Sequence, residues 1–314
     1  VFIAGDIGVT WADVGAAVMA PLYRNLSSPA TAGEAENPYL IWTAEDLAWF
    51  SYQVNHGNAG LCVELKSDIN LYGGLYTGFT YDPGASDIVS KALPWIPVGL
   101  DEDGKRYTGT FNGNGHNISI MLAKNSEKLG LFGTLGADAS VTNTTLSNSR
   151  LDASGLGGSA ESYLGGIAGY VNGANASIRF CKTGGTLDGR GTYFGGIAGG
   201  AGNAAGLVIE GCYHGENVSV TADTGAGSTV GGILGKGSST ADITVRNCYN
   251  RGSVHGGSFA GGIAGEAVTD KTTIAGCYNA GPVTAESGGQ TGSIAGAGDV
   301  DGALIRDCLI EDSH

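Results

Sequence analysis

A short glycine-flanked apolar motif returns six times along this chain at nearly constant spacing. It reads Gly130-Leu131-Phe132-Gly133, Gly166-Ile167-Ala168-Gly169, Gly196-Ile197-Ala198-Gly199, Gly232-Ile233-Leu234-Gly235, Gly262-Ile263-Ala264-Gly265 and Ser293-Ile294-Ala295-Gly296. The closing glycines lie 36, 30, 36, 30 and 31 residues apart. A second motif keeps step with it: Ile178-Arg179-Phe180-Cys181, Ile209-Glu210-Gly211-Cys212, Val245-Arg246-Asn247-Cys248, Ile274-Ala275-Gly276-Cys277 and Ile305-Arg306-Asp307-Cys308. Each of these cysteines follows its closing glycine by 12 or 13 residues, and the first copy, Val141-Thr142-Asn143-Thr144, has Thr instead. Two motifs locked in phase define one structural unit repeated along an axis, each unit burying its apolar face on the next.

The second motif can be read as geometry. Ile or Val stands three places before the Cys, as an inward strand position requires. The next residue is variable and mostly polar, so it faces outward. Asn, Gly or Asp precedes the Cys or Thr in five of six copies, Phe180 being the exception. Those residue types accept the left-handed conformation that turns a strand sharply. After the bend the Cys faces inward again, stacking on its counterparts in neighbouring turns.

Helical repeats of similar period need long stretches of 3.6-residue periodicity. The segments between motifs, such as Gly225 to Thr229 and Gly237 to Thr240, are rich in Gly, Ser and Thr and are poor helix formers. A leucine-rich repeat would need a Leu ladder, which is missing. Composition agrees: 57 of 314 residues are Gly and only 15% are charged, against about 25% charged in ordinary domains. The expected fold is all-β, a right-handed parallel β-helix with a short N-terminal capping helix.

Before the repeats, Thr43-Ala44-Glu45-Asp46 followed by Leu47, Phe50 and Val54 reads as a capped amphipathic helix ending near His56-Gly57. It would close the open core of the solenoid. Three regions follow: a cap over 1–60 with one amphipathic helix, irregular early turns over 61–124, and regular turns over 125–314. Residues 1–38 give no clear element, although the apolar run from Val14 to Met19 suits a strand or helix of the cap.

Together these residues resemble a known family. The Gly-Gly-Ile-Ala-Gly copies look like the GLUG motif of bacterial surface proteins. Trp95-Ile96-Pro97-Val98-Gly99 and Tyr107 through Ile118 are similar to the lead-in that often precedes such repeats. The Thr43–Gly57 helix and Asp68-Ile69-Asn70-Leu71 fit that lead-in too. The resemblance covers about residues 39–314 and implies a β-helix on a large exported protein, often an adhesin. Similar repeats also flank zinc metallopeptidases that cleave immunoglobulin A and carry His-Glu-x-x-His. The five histidines here are His56, His116, His214, His255 and His314, and none begins that motif.

The net charge of −14 repels a phosphate backbone, so nucleic acid is not an expected partner. No segment is long and apolar enough to span a bilayer. The start, Val1 to Ala4, has neither an initiator Met nor a basic leader, so a processed or excised segment is expected; an extracellular location is what the resemblance implies, and a monomer is expected.

Tyr213, Tyr249 and Tyr278 follow three of the ladder cysteines, flanked in phase by Lys182 and Leu309. Alternation turns them outward as an aromatic stripe suited to a glycan or a host surface protein. Stacking that merely stabilises the solenoid is the simpler reading. Arg179, Glu210 and Arg246 stand in phase for a cross-turn ion pair. The six cysteines, Cys62 among them, have no Cys-x-x-Cys spacing and read as reduced, buried stackers, with disulfide pairing as the alternative. Asp101-Glu102-Asp103 offers oxygen ligands for Ca²⁺ but reads more simply as a solvated loop. Gly195-Gly196 lacks the Lys-Ser/Thr of a phosphate loop. No repeat concentrates Asp or Glu as a β-helix lyase or hydrolase would. The expected function is a non-catalytic adhesion module without cofactor or metal; a carbohydrate-active enzyme and a ligand-free spacer are the alternatives.

Overall fold

The computed structural model describes residues 10–72, 92–124, 126–153, 156, 161–190, 192–215, 219–221, 227–267, 271–298 and 304–310. Of the expected cap, residues 1–9 lie outside that set, as do 73–91 of the expected irregular turns, His314 and Gly225. Side chains of 185–190 and 219–221 are not described.

Strand pairing carries the architecture, and it is parallel throughout the named sheets. Sheet 1 has nine strands, running in order from Tyr39–Ile41 through Val63–Leu65 and Thr110–Asn112 to Leu304–Arg306. Its register aligns Phe111, Val141, Ile178, Ile209, Val245, Ile274 and Ile305 in one column. Successive members from Val141 onward are 37, 31, 36, 29 and 31 residues apart, so the chain advances one strand per repeat. One such turn runs through Leu207–Glu210 in sheet 1 and Tyr213–His214 in sheet 2. It continues through Ser219–Thr221 in sheet 5, Thr229–Gly231 in sheet 3 and Leu234–Lys236 in sheet 4. The next turn begins at Ile243–Arg246, back in sheet 1.

Inside this coil the column is apolar and buried from Phe111 to Ile274. A parallel column from the glycine motif (Leu131, Ile167, Ile197, Ile233 and Ile263) is equally buried. Each fully buried aliphatic side chain contributes roughly 1.5–3 kcal/mol relative to exposure. At the C-terminal end the column opens, and Ile305 is 43% exposed.

The glycine motif has a steric cause. A Cβ on Gly195 would stand 2.0 Å from the Ala198 carbonyl oxygen, and one on Gly199 2.4 Å from the Leu164 nitrogen. Sheets 3 and 4 therefore meet backbone to backbone where the chain bends around Ile197. No side chain fits between them.

The corner before each Cys adopts the left-handed conformation in all six copies: Asn143 (φ 52°), Phe180 (55°), Gly211 (61°), Asn247 (53°), Gly276 (59°) and Asp307 (55°). Phe180 obeys the geometry without the usual residue type. Its ring, 55% exposed, lies over the next corner, where a Gly211 Cβ would approach Phe180 Cδ1 to 2.7 Å.

The N-terminal end is closed by two helices. The longer, α2 (Ala44–Asn55), begins at Thr43 in a capping box with Asp46, and Leu47, Phe50 and Val54 are buried. Phe50 seats on the first rings of the coil, 5.5 Å from Tyr107 and 5.9 Å from Phe111. Asn55 ties it to the following chain by donating to the Pro97 carbonyl and accepting from the Gly99 amide. The shorter helix, α1 (Trp11–Ala17), lies against α2, and Gly15 approaches the Ala48 carbonyl too closely for any side chain. Seven residues with a central glycine give little periodic signal, and the apolar run from Val14 to Met19, which suits a strand or helix, overlaps only the end of this helix. Met19, beyond its end, is exposed.

The corners yield a prediction. A bulky aromatic at positive φ is strained, and Asn carries less of that cost. Phe180→Asn should raise stability, by up to about 1 kcal/mol, measured as a shift of the urea midpoint at constant slope.

Candidate functional site

Two ladders lie side by side on sheet 2, one half-buried and one fully buried. The half-buried ladder is aromatic: Lys182, Tyr213, Tyr249, Tyr278 and Leu309 are register partners. Parallel in-register pairing superposes equivalent side chains about 4.8 Å apart, and the rings respond by tilting together. Tyr213 and Tyr249 have centroids 5.4 Å apart, Tyr249 and Tyr278 4.8 Å. The Arg251 guanidinium stands 5.8 Å from the Tyr249 ring. The result is a continuous phenol strip along the axis, open on its outer edge, with an exposed Lys182 at one end and an exposed Leu309 at the other. Ring stacking and an outward face coexist in it.

The inward ladder beside it was not singled out from the sequence. Thr183, His214, Asn250 and Asn279 are register partners, all buried. Asn250 Nδ2 donates to Asn279 Oδ1 at 2.8 Å and to the Gly252 carbonyl at 3.0 Å, and Gly252 N–H donates back to Asn250 Oδ1. Asn279 repeats the pattern with Gly281. These amides pack on the opening glycine of the apolar motif: a Cβ on Gly232 would lie 2.5 Å from Asn250 Cγ, and one on Gly262 2.3 Å from Asn279 Cγ. The signal was present as Cys-Tyr-His, Cys-Tyr-Asn and Cys-Tyr-Asn. It looks like part of the stripe until the burial of every second residue is known.

His214 is the irregular member. Its Nδ1 lies 2.9 Å from Thr183 Oγ1, and its Nε2 has no partner among the described residues. Burial lowers its pKa to about 3, so the ring is neutral at physiological pH.

The cysteines line the core next to these ladders, all free, with Cys181, Cys212, Cys248 and Cys277 buried and Cys308 partly so. Each of these thiols reaches the carbonyl of the residue two before it, for example Cys248 to Arg246 at 3.3 Å, and a sheet 1 carbonyl of the preceding turn, here Ile209 at 3.6 Å. Burial pushes the Cys212 thiol well up, away from reactive thiolate. Outside the coil, Glu210 bridges Arg179 at 3.5 Å and Arg246 at 2.9 Å, the cross-turn pairing expected from their phase. The carboxylates of Asp101, Glu102 and Asp103 are engaged by Arg106 and Lys105. Among the described residues no group of three His, Cys, Asp or Glu is placed to hold a metal ion. The described histidines are dispersed: His56 ends α2, His116 pairs with Asp68, His214 is in the core, and His255 lies near Glu286.

A second aromatic group also escaped the sequence reading. Tyr163 and Tyr193 are register partners in sheet 3, stacked at 4.9 Å, and Tyr170 of sheet 4 lies 4.5 Å from Tyr163. Both Tyr163 and Tyr193 donate to Glu161, at 2.8 and 3.2 Å. Burial, with the Glu161 carboxylate beside it, pushes the Tyr163 phenol far above its ordinary range, so it remains a donor. The available signal was Tyr-x-Gly-Gly at 163 and 193, in phase with the glycine motif.

The fold is shared with a solved structure. The crystal structure of a putative immunoglobulin A1 protease from Bacteroides ovatus superposes with a TM-score of 0.51 at 19% identity, over 89% of this chain and 85% of that one. At that identity the likeness is one of fold. A putative Gly-rich membrane protein of Evansella cellulosilytica is 28% identical over 148 residues, 46% of this chain and 15% of that protein's length. The chain therefore spans a small part of this curated relative. No protein-family model matches. Among the described residues no helix is long and apolar enough to cross a membrane.

The buried imidazole carries a pH prediction. With a folded pKa near 3, below the unfolded value of about 6.5, the unfolded chain binds the extra proton between those limits. Stability is then full above pH 6.5 and falls as pH drops toward 3, by at most about 1.4 kcal/mol per pH unit from this group. His214→Asn, matching Asn250 and Asn279, should flatten that part of the curve in urea unfolding measured from pH 7 to 4.

Proposed function

We propose that the chain is a non-catalytic, extracellular adhesion module, a right-handed β-helix of the GLUG-repeat kind. Its cap spans residues 1–60, its irregular turns 61–124 and its regular turns 125–314. A rigid coil of this type offers long lateral faces whose side chains repeat at strand spacing, and it acts as a monomer. The face offered to a glycan or host surface protein is the strip of Tyr213, Tyr249 and Tyr278.

One observation carries this reading: three half-buried phenol rings in consecutive turns, at centroid distances of 5.4 and 4.8 Å, held in line by the backbone register. Preorganised tyrosines bury contact area at little entropic cost, and their hydroxyls supply directional hydrogen bonds. The length of the strip suits an extended chain better than a single small molecule. Supporting observations are the fold shared with a protein bearing an immunoglobulin A1 protease name and the partial likeness to a Gly-rich membrane protein. The sequence itself has no His-Glu-x-x-His with which to perform metallopeptidase chemistry.

A glycan array and mucin-binding assay of the wild type and a Tyr213→Ala/Tyr249→Ala/Tyr278→Ala variant tests the proposal. Binding of mucin and of extended glycan chains should fall at least tenfold in a variant that keeps its β-type circular dichroism. Unchanged binding would remove the stripe as the recognition face, and turnover of a polysaccharide would replace adhesion by catalysis.

A further inference from the structure

On a different flank from the tyrosine strip, sheet 4 carries a register column of Thr134, Tyr170, Gly200, Lys236, Glu266 and Ala297, in which Thr134 is buried. The smallest member stands between two long ones. Gly200 is followed by Ala201, Gly202 and Asn203, whereas the next turn has Lys236 and then Gly237 through Thr240. A cleft of about 290 Å³ opens there. Two tyrosines lie across the glycines: a Cβ on Gly200 would come within 2.5 Å of the Tyr163 ring, and one on Gly202 within 2.0 Å of the Tyr170 hydroxyl. One rim is Asp101 and Asn172, joined by a 3.1 Å hydrogen bond, and the other is Ser238 to Thr240.

We infer that this cleft is a binding subsite for an uncharged saccharide unit, separate from the Tyr213–Tyr278 strip. The lining decides the class. An apolar ligand would cover the Asn203 amide and the Ser239 hydroxyl without offering either a partner, which is costly. A cation gains little from the aromatic rings, because Lys128 Nζ already stands 5.6 Å from the Tyr163 centroid and 5.8 Å from that of Tyr170. An anion meets the Asp101 carboxylate on the rim. Lys236, the cation lining the cleft, already donates to the Tyr193 hydroxyl at 2.9 Å and stands 3.9 Å from Glu266. A neutral sugar matches what is left, with C–H groups against Tyr170 and hydroxyls toward Asp101, Asn172 and the Ser239–Thr240 rim. The volume sits at the small end of ligand pockets, consistent with one or two sugar units.

Saturation-transfer NMR and calorimetric titration test this, using neutral gluco-, galacto- and manno-oligosaccharides and N-acetylhexosamines beside sialylated and uronate-containing ones. Ser239→Trp places an indole in the mouth from an exposed position, and Tyr170→Ala removes the aromatic wall. Circular dichroism and thermal melting check that each variant folds. The expected result is that a neutral saccharide binds the wild type and the triple tyrosine variant alike, and binds both cleft variants at least tenfold more weakly. The inference is overturned if no neutral saccharide binds or if only acidic ones do. It is equally overturned if binding survives Ser239→Trp or falls equally in the triple tyrosine variant. Because the triple variant leaves the cleft intact, failure of the adhesion strip and failure of the cleft give different patterns.

Discussion

In-register stacking of like side chains is the constraint on which this molecule depends. Once Val141 is paired with Ile178 and Ile178 with Ile209, every other residue of each turn is assigned a face. Slipping the register by one residue would move the entire apolar column to solvent. This single requirement places the thiols inside, the Arg179–Glu210–Arg246 group outside, and the tyrosines in line. The external ion pairs are exposed and add little to stability. The buried columns and the backbone hydrogen bonds between turns hold the coil.

Glycine sets the cross-section. Where sheets 3 and 4 meet without side chains between them, the coil is pinched, and the inward Ile of each motif fills the space beyond the bend. The opening glycine of the motif serves another layer, giving room to the buried amides of Asn250 and Asn279. A polar ladder in an apolar core is tolerable because each asparagine amide is satisfied by the chain two residues on and the two amides bond each other across turns. His214 stands in the same column with one ring nitrogen unpartnered among the described residues, which makes it the weak member of the series.

Much of this was legible in the residues. The phase of the two motifs gave the turn length, Ile and Val before the Cys gave the inward column, and the Asn, Gly and Asp corners gave the left-handed bends. Phe180 shows that the corner is fixed by the register rather than by local preference, since it takes the same φ against its own propensity. The helix over 44–55 was visible through its capping box and periodic apolar residues, whereas the seven-residue helix at Trp11–Ala17 was too short to announce itself. The site was harder to see. The tyrosine strip follows from alternation, but the cleft beside Tyr170 joins residues 101, 172, 202 and 239 across several turns. Only the superposition of turns brings them together. The inward role of His214, Asn250 and Asn279 was hidden for the same reason: a polar residue after an aromatic reads as surface until the pleat is counted.

A coil of interchangeable turns has one consequence that no ordinary globular arrangement shares, because its stability is a sum of turns and nearest-neighbour contacts. The most direct measurement is therefore the excision of one repeat, residues 232–261, joining Gly231 to Gly262 so that the glycine motif is regenerated in phase. The shortened chain should fold cooperatively, keep its β-type circular dichroism, and lose only the stability share of one turn in urea titration. An unfolded or aggregated product, with the dichroism of a random chain, would contradict the stacked-turn account.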